Sequence, residues 1–300
     1  MTPKMFQNLL RIGVAMAVLG FGSGATPAPL TLDGILAASP HSDWRPIDPA
    51  NTLVMQLPGG PVVIELAPGF APHTVANIKT LVRGHYFDGS AIVRVQDNFV
   101  VQWSRTDHRS LGSAKSRIAP EFDRALRRNP GFIRLSDPDT YAPQMGFLSG
   151  FPVARDHGRE WLTHCYGMVG VGRDNAADSG NGSELYAVIG QSPRNLDRNV
   201  TLVGRVVQGI ELLSALPRGT GALGFYQNPS RDIPVAAIRV GSDLPPSRQP
   251  HLEALRTDSR TFRALIEERR TRPDPWYIHS PGHVGLCNVP LPVREISHKR

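Results

Sequence analysis

The pattern of apolar and polar positions in the middle of the chain predicts mainly β-strands. Residues 52–57 and 62–66 are rich in apolar and β-branched side chains, and Pro58-Gly59-Gly60-Pro61 between them indicates a hairpin turn. Further strands are predicted by similar runs at residues 91–95, 99–103, 167–171, 184–189, 200–207 and 234–240.

Two segments interrupt the strands with helical spacing. After Pro72, apolar residues recur at Val75, Ile78 and Leu81 until Gly84 ends the pattern, and residues 209–216 predict a second, shorter helix. Many short strands with two separated helices favour a mainly β fold, a closed antiparallel barrel capped by helices.

Three stretches fall outside this pattern, and the predicted barrel domain spans residues 51–243. Residues 26–50 are rich in Pro and Ala and predict a linker or surface arm. Residues 106–161 show few strand signals and predict a long inserted loop. The extension at residues 244–300 predicts one amphipathic helix packed on the barrel, with an apolar face of Leu252, Leu255, Phe262, Leu265 and Ile266.

The first 25 residues have the pattern of a secretory signal peptide. Lys4 and Arg11 precede an apolar run at residues 12–21, and small residues at Ser23 and Ala25 predict cleavage after Ala25. The run is short for a membrane span, which needs about 20 apolar residues. We therefore expect an exported protein of the bacterial periplasm, with no stable membrane insertion after cleavage.

Composition narrows the functional classes. Of 300 residues, 40% are hydrophobic and 20% are charged, which excludes a wholly disordered chain. The net charge of +7 is carried by scattered arginines. Because export also removes nucleic acid as a partner, the charge does not predict a nucleic-acid-binding protein.

The cysteine count leaves two alternatives. Cys165 and Cys287 form either a disulfide, as an oxidising compartment permits, or two buried free thiols. Two cysteines are too few for a cysteine-rich zinc module. His279, His283 and Cys287 are spaced four apart, but Pro281 and Gly282 break the helix that would align them, so no metal site is predicted.

Several short motifs, in consistent order over residues 51–241, resemble cyclophilin-type peptidyl-prolyl isomerases. Residues 71–77 read Ala-Pro-His-Thr-Val-Ala-Asn, and residues 86–89 read Tyr-Phe-Asp-Gly. Arg94-Val95 is followed by Phe99 and Gln102, and residues 181–186 read Asn-Gly-Ser-Glu-Leu-Tyr. Such a series is far more specific than any single motif.

The resemblance implies a closed eight-stranded antiparallel cyclophilin-like barrel capped by two helices. It implies isomerisation of X-Pro bonds in proline-containing polypeptides, with no cofactor. By the same resemblance Arg94 is the catalytic residue and Gln102 orients it. The positions that match the family's substrate-binding residues are Phe99, Val100, Gln102, Gly172, Arg173, Glu184, Tyr186, Asn195, Leu196 and Val200.

Parts of the expected pocket depart from the family pattern. Val100 replaces Met, Glu184 replaces Gln, Tyr186 replaces Phe, Asn195 stands where an aromatic is common, and Val200 replaces His. Glu184 is expected either to pair with the Arg94 guanidinium and blunt its donation, or to help position it. A second function therefore stays open beside the enzyme: a module that binds proline-containing segments as a chaperone, with weak or no turnover.

Overall fold

The computed structural model describes residues 31–127 and 131–296; the predicted signal peptide at residues 1–25 lies outside them. The helices and strands, in chain order, are α1 Leu32–Ala37, β1 Trp44–Pro46, β2 Thr52–Leu57, β3 Gly60–Leu66, α2 Pro72–Arg83, β4 Ser90–Val95, β5 Val100–Ser104, β6 Arg124–Ala125, β7 Ile133–Leu135, β8 Gln144–Leu148, β9 Phe151–Asp156, β10 Arg159–Leu162, β11 Met168–Val171, β12 Leu185–Val188, β13 Leu202–Gln208, α3 Ile210–Ser214, β14 Ile233–Val235, β15 Ala237–Val240, β16 Leu252–Leu255, α4 Arg260–Thr271 and β17 Val293–Glu295.

Nine strands form one antiparallel sheet that curls into a nearly closed barrel. Their order is β14-β4-β5-β12-β11-β13-β3-β2-β15. β14 and β15 stand at opposite ends of this order although only Ala236 separates them in the chain. The Ala236 N–H donates to the Gln56 carbonyl of β2, and its own carbonyl accepts from Gly89 next to β4. One bent segment thus closes the barrel. The single strand predicted at residues 234–240 is divided into β14 and β15, which is why the sheet has nine strands and not eight.

The barrel interior is filled by apolar side chains, and α2 closes one end of it. Trp103, Phe87 and Ile64 have no exposed surface. The helical spacing confirmed in α2 places Val75 and Ile78 in the same core.

The insertion is more ordered than its sequence indicated. Residues 106–161, expected as a long inserted loop, carry five short strands, the last of which ends at Leu162, and these strands form an antiparallel sheet with the order β6-β10-β9-β8-β7. Two tight turns, Ser149-Gly150 and His157-Gly158, join the strands through left-handed conformations. The strands have only two to six residues each, so their apolar alternation is too brief to stand out.

The two outer segments pack together beside the insertion. The expected surface arm contributes α1 and β1, with Trp44 buried and paired in register with Leu255 of β16. The predicted amphipathic helix starts only at Arg260, where the Ser259 hydroxyl accepts a hydrogen bond from the Phe262 N–H. Leu252 belongs instead to the three-stranded sheet β1-β16-β17.

The insertion and the extension share a second apolar core. The Phe147 ring of β8 meets the Phe262 ring of α4 edge to face, with centroids 5.0 Å apart. A disulfide between Cys165 and Cys287 also connects the extension to the segment that enters β11. In the described ranges, no helix is long and apolar enough to span a bilayer.

Replacing both cysteines by serine is expected to lower the free energy of unfolding by roughly 2–5 kcal/mol, because the 122-residue separation makes a long closed loop. Denaturant unfolding of the oxidised wild type and of Cys165→Ser/Cys287→Ser measures the difference. Reductant should lower the stability of the wild type alone. Equal midpoints for the wild type with and without reductant would contradict the prediction.

Candidate active site

Residues from three neighbouring strands form one wall of a surface cleft of about 790 Å³. Arg94 of β4 pairs in register with Gln102 of β5, and Gln102 pairs with Tyr186 of β12. Residues opposite each other in a sheet project from the same face. The cleft is lined by Arg94, Phe99, Val100, Gln102, Val171, Gly172, Arg173, Asp174, Asn175, Ala176, Glu184, Tyr186, Leu196 and Val200.

A β-bulge turns Arg94 toward this cleft. Ile92 pairs with Trp103, both inside the barrel, but Arg94 pairs with Gln102, so Val93 is the extra residue of the bulge. In a regular strand Arg94 would share the inward face of Ile92, two residues earlier. The extra residue reverses the alternation and places the guanidinium outside the barrel.

Three neutral oxygen atoms hold the guanidinium of Arg94. Its Nε donates to the Leu223 carbonyl at 2.6 Å and Nη1 donates to Gln102 Oε1 at 3.0 Å. Nη2 donates to Gln96 Oε1. These bonds use three of the five N–H donors of a guanidinium, which leaves two for a ligand.

Two aromatic rings flank the same group. The Arg94 Cζ atom lies 5.5 Å from the centroid of the Phe99 ring and 5.3 Å from that of Phe225. Phe225 lies on the loop at residues 217–228, which is tied to β4 by the bond from the Tyr226 N–H to the Val93 carbonyl. Phe225 and Leu223 were not among the residues predicted from the sequence. The glycines at 219, 221 and 224 are the one local feature that indicates a closely packed loop there.

Burial acts in opposite senses on the two charged groups of the cleft. It lowers the pKa of Arg94, an effect that the charge of Glu184 partly offsets. Burial also raises the pKa of the Glu184 carboxyl; Asp174 adds to the rise and Arg94 opposes it. Within the described residues, no carboxylate oxygen lies within 4.0 Å of the Arg94 nitrogens. Glu184 thus influences Arg94 through space, and of the two expected roles of Glu184 the direct ion pair is absent among the described residues.

An apolar pocket lies beside the guanidinium. Val100 and Tyr186 are buried in one cluster with Val188, and Phe99 and Val200 pack against them. The Tyr186 ring covers Gly170, where an added Cβ would lie 2.3 Å from the ring carbon Cζ. A side chain larger than glycine at position 170 would therefore displace the Tyr186 ring.

Most of the positions expected from sequence meet in the cleft, with one exception. Gly172 and Arg173 line it, and the Arg173 Nε donates to the Asn199 carbonyl at 2.9 Å. Asn195 is exposed on the turn at residues 194–196 and does not line the cleft. That turn presents Leu196 to the cleft instead, because neighbouring residues of a tight turn point in different directions.

Comparisons with known proteins show what this chain is similar to. The family model described as cyclophilin type peptidyl-prolyl cis-trans isomerase matches residues 52–240. A probable peptidyl-prolyl cis-trans isomerase of Brucella suis is 29% identical over 187 residues, covering 62% of this chain and 82% of the relative. The human peptidyl-prolyl cis-trans isomerase-like 1 is 24% identical, covering 68% of this chain and 96% of the relative.

A solved structure extends the likeness beyond the barrel. The crystal structure of cyclophilin AquaCyp293 from Hirschia baltica has a TM-score of 0.66 and 26% sequence identity. The match covers 90% of this chain and 99% of that one, a larger share than residues 52–240 occupy. The similarity therefore includes parts of the segments packed beside the barrel.

Glu184→Gln is expected to stabilise the protein at pH 7. A raised pKa means that the ionised Glu184 carboxyl is less favourable in the folded protein than in the unfolded chain. The stability of the wild type therefore falls as the pH rises from 4.5, the ordinary pKa of a glutamate, through the pKa of Glu184 in the folded protein. The gain from Gln should vanish below pH 4.5, where both states are protonated. Denaturant unfolding across this pH range measures it.

The matched control is Glu211→Gln on α3, an exposed glutamate and the same change of charge. It should show no comparable gain that grows with pH. A Glu184→Gln effect that is independent of pH, or that destabilises the protein at pH 7, would contradict the burial argument.

Proposed function

The chain belongs to the cyclophilin-type peptidyl-prolyl cis-trans isomerases, and from that premise we propose that it accelerates X-Pro isomerisation in exported proteins while they fold. The observation that carries the proposal is the Arg94 guanidinium, held by neutral acceptors beside an apolar pocket.

The chemistry requires a hydrogen-bond donor at one nitrogen atom. Rotation about a peptide bond faces a barrier of about 18–20 kcal/mol, because the nitrogen lone pair is delocalised into the carbonyl. In the twisted state the lone pair returns to nitrogen and accepts a hydrogen bond. A donor that meets this lone pair stabilises the twisted state more than either planar isomer.

The residues of the cleft divide this task. The pocket of Val100, Tyr186 and Leu196 accommodates the proline ring and excludes water from it. Gln102 accepts one Arg94 bond and so fixes the direction of the guanidinium. The N–H donors of Arg94 that remain then point their positive charge at the prolyl nitrogen, in surroundings where a charged donor acts strongly.

One observation favours the second candidate, a module that binds proline-containing segments without useful turnover. The half-buried Glu184 carboxylate places a negative charge in the cleft, and this charge partly offsets the lowering of the Arg94 pKa that burial causes. To that extent Glu184 weakens the guanidinium as a hydrogen-bond donor. The two candidates differ in what Arg94 does: it serves turnover in the enzyme and affinity in the binding module.

Arg94→Ala is expected to lower kcat by about 10²–10³, the effect of removing one preorganised donor from a transition state. The dissociation constant of the same peptide should change much less. Cis-to-trans exchange of a short X-Pro peptide with purified residues 26–300 measures turnover, and titration calorimetry measures affinity. Arg94→Lys is the matched control, because it keeps the charge but loses the planar fork. Equal losses of turnover and affinity would favour the binding module.

We also propose export to the periplasm. The apolar run at residues 12–21 supports a signal peptide, and the Cys165–Cys287 disulfide is of the kind that persists in oxidising compartments. Expression of the full chain in a bacterium, followed by fractionation and N-terminal sequencing, tests this. The expected product is periplasmic and starts at Thr26. A cytoplasmic product that retains residues 1–25 would contradict export.

A further inference from the structure

A network of hydrogen-bonded polar side chains leads from the cleft to the insertion at residues 106–161. The Tyr186 hydroxyl lies 2.8 Å from His164 Nε2, and both residues are buried, His164 with no exposed surface. The Nδ1 atom of His164 lies 2.9 Å from Asp197 Oδ1, which also accepts from the His164 backbone N–H. His164 lies outside every motif of the resemblance and has no part in the mechanism above.

The contact with Asp197 fixes one of the donors. A carboxylate only accepts, so the Nδ1 atom of His164 carries a proton toward Asp197. In a neutral imidazole the Nε2 atom is then an acceptor, and the Tyr186 hydroxyl donates to it. The Tyr186 hydroxyl thus bonds inside the protein, while the residue also lines the cleft.

The hydrogen-bond network continues into the insertion. Arg194 Nε donates to Asp197 Oδ2 at 2.5 Å, and the two Nη atoms of Arg194 donate to the two oxygens of Asp139 at 3.2 and 3.0 Å. Arg194 is buried, and Asp139 precedes β8 in the inserted sheet. A buried arginine between two carboxylates is held firmly, since removal of one partner leaves a charge without compensation.

These contacts join both sides of the proline pocket. Tyr186 is on β12, while Leu196 is on the turn at residues 194–196, between Arg194 and Asp197. His164 contacts both sides, one through each ring nitrogen. His164 therefore bridges the two walls.

We infer that His164 is a positioning residue of the proline pocket: it sets the distance between Tyr186 and Leu196, and Arg194 ties the turn that carries Leu196 to Asp139 of the insertion. The inference rests on the proposed function for its substrate, an X-Pro peptide. A pocket wall contacts the proline ring in the planar and twisted states alike. Loosening it should therefore raise KM and leave kcat nearly unchanged, the opposite of the Arg94→Ala effect.

Two substitutions of His164 separate its two contacts. His164→Asn places an amide near the position of Nδ1 and keeps a donor for Asp197, but leaves the Tyr186 hydroxyl without an acceptor. His164→Gln places its amide oxygen near the position of Nε2 and keeps that acceptor. KM should rise roughly fivefold for Asn, the effect of losing one ordinary hydrogen bond, and recover in part for Gln. Tyr186→Phe, which loses only the hydroxyl, should resemble His164→Asn.

The control for a merely structural role of His164 is Glu65→Gln, which weakens the buried ion pair between Glu65 of β3 and Arg205 of β13, away from the cleft. This variant should lower the melting temperature and leave KM unchanged. If His164→Asn and Tyr186→Phe also lower only the melting temperature, the inference is overturned. The peptide dissociation constant is measured in parallel. An inactive wild type would contradict the proposed function, whereas equal dissociation constants in wild type and variants would contradict the positioning role.

Discussion

The cleft depends on a cation that is partly removed from water without being neutralised. Burial of a guanidinium is costly unless its N–H groups find acceptors. For Arg94 the acceptors are the Leu223 carbonyl and the side-chain amides of Gln96 and Gln102, with an aromatic ring on either side. A carboxylate would satisfy the same N–H groups but would also cancel the charge. Neutral acceptors fix the orientation and leave the charge available, which is what an electrostatic catalyst of bond rotation needs.

The rest of the molecule stiffens what surrounds this cation. The bulge at Val93 selects the face on which Arg94 emerges, and the loop that carries Phe225 is hydrogen-bonded to the same strand. On the other side of the cleft, hydrogen bonds from Tyr186 through His164, Asp197 and Arg194 lead to Asp139 in the insertion. The insertion therefore contacts the polar network behind the pocket through Asp139, in the segment that joins β7 to β8.

Local patterns in the sequence were sufficient for much of the barrel. The hairpin at residues 52–66, the helix after Pro72 and the motif residues Arg94 and Gln102 all depend on spacings of a few residues. The features that the sequence did not predict depend on contacts between residues far apart in the chain, or on one extra residue within a strand. No local pattern marks the bulge at Val93, since an extra residue in a strand leaves composition unchanged. His164 lies between β10 and β11 and meets Tyr186 only in the folded protein, and the inserted strands are too short to show a regular alternation of apolar residues.

The most direct test of this account is a crystal structure of the protein with a short X-Pro peptide in the cleft. The account predicts the proline ring between Phe99 and Leu196, with an Arg94 N–H group about 3 Å from the prolyl nitrogen and the bond to Gln102 retained. A bound peptide whose prolyl nitrogen has no Arg94 donor, with the guanidinium turned to Glu184, would contradict it. The cleft would then be a site of binding and not of catalysis.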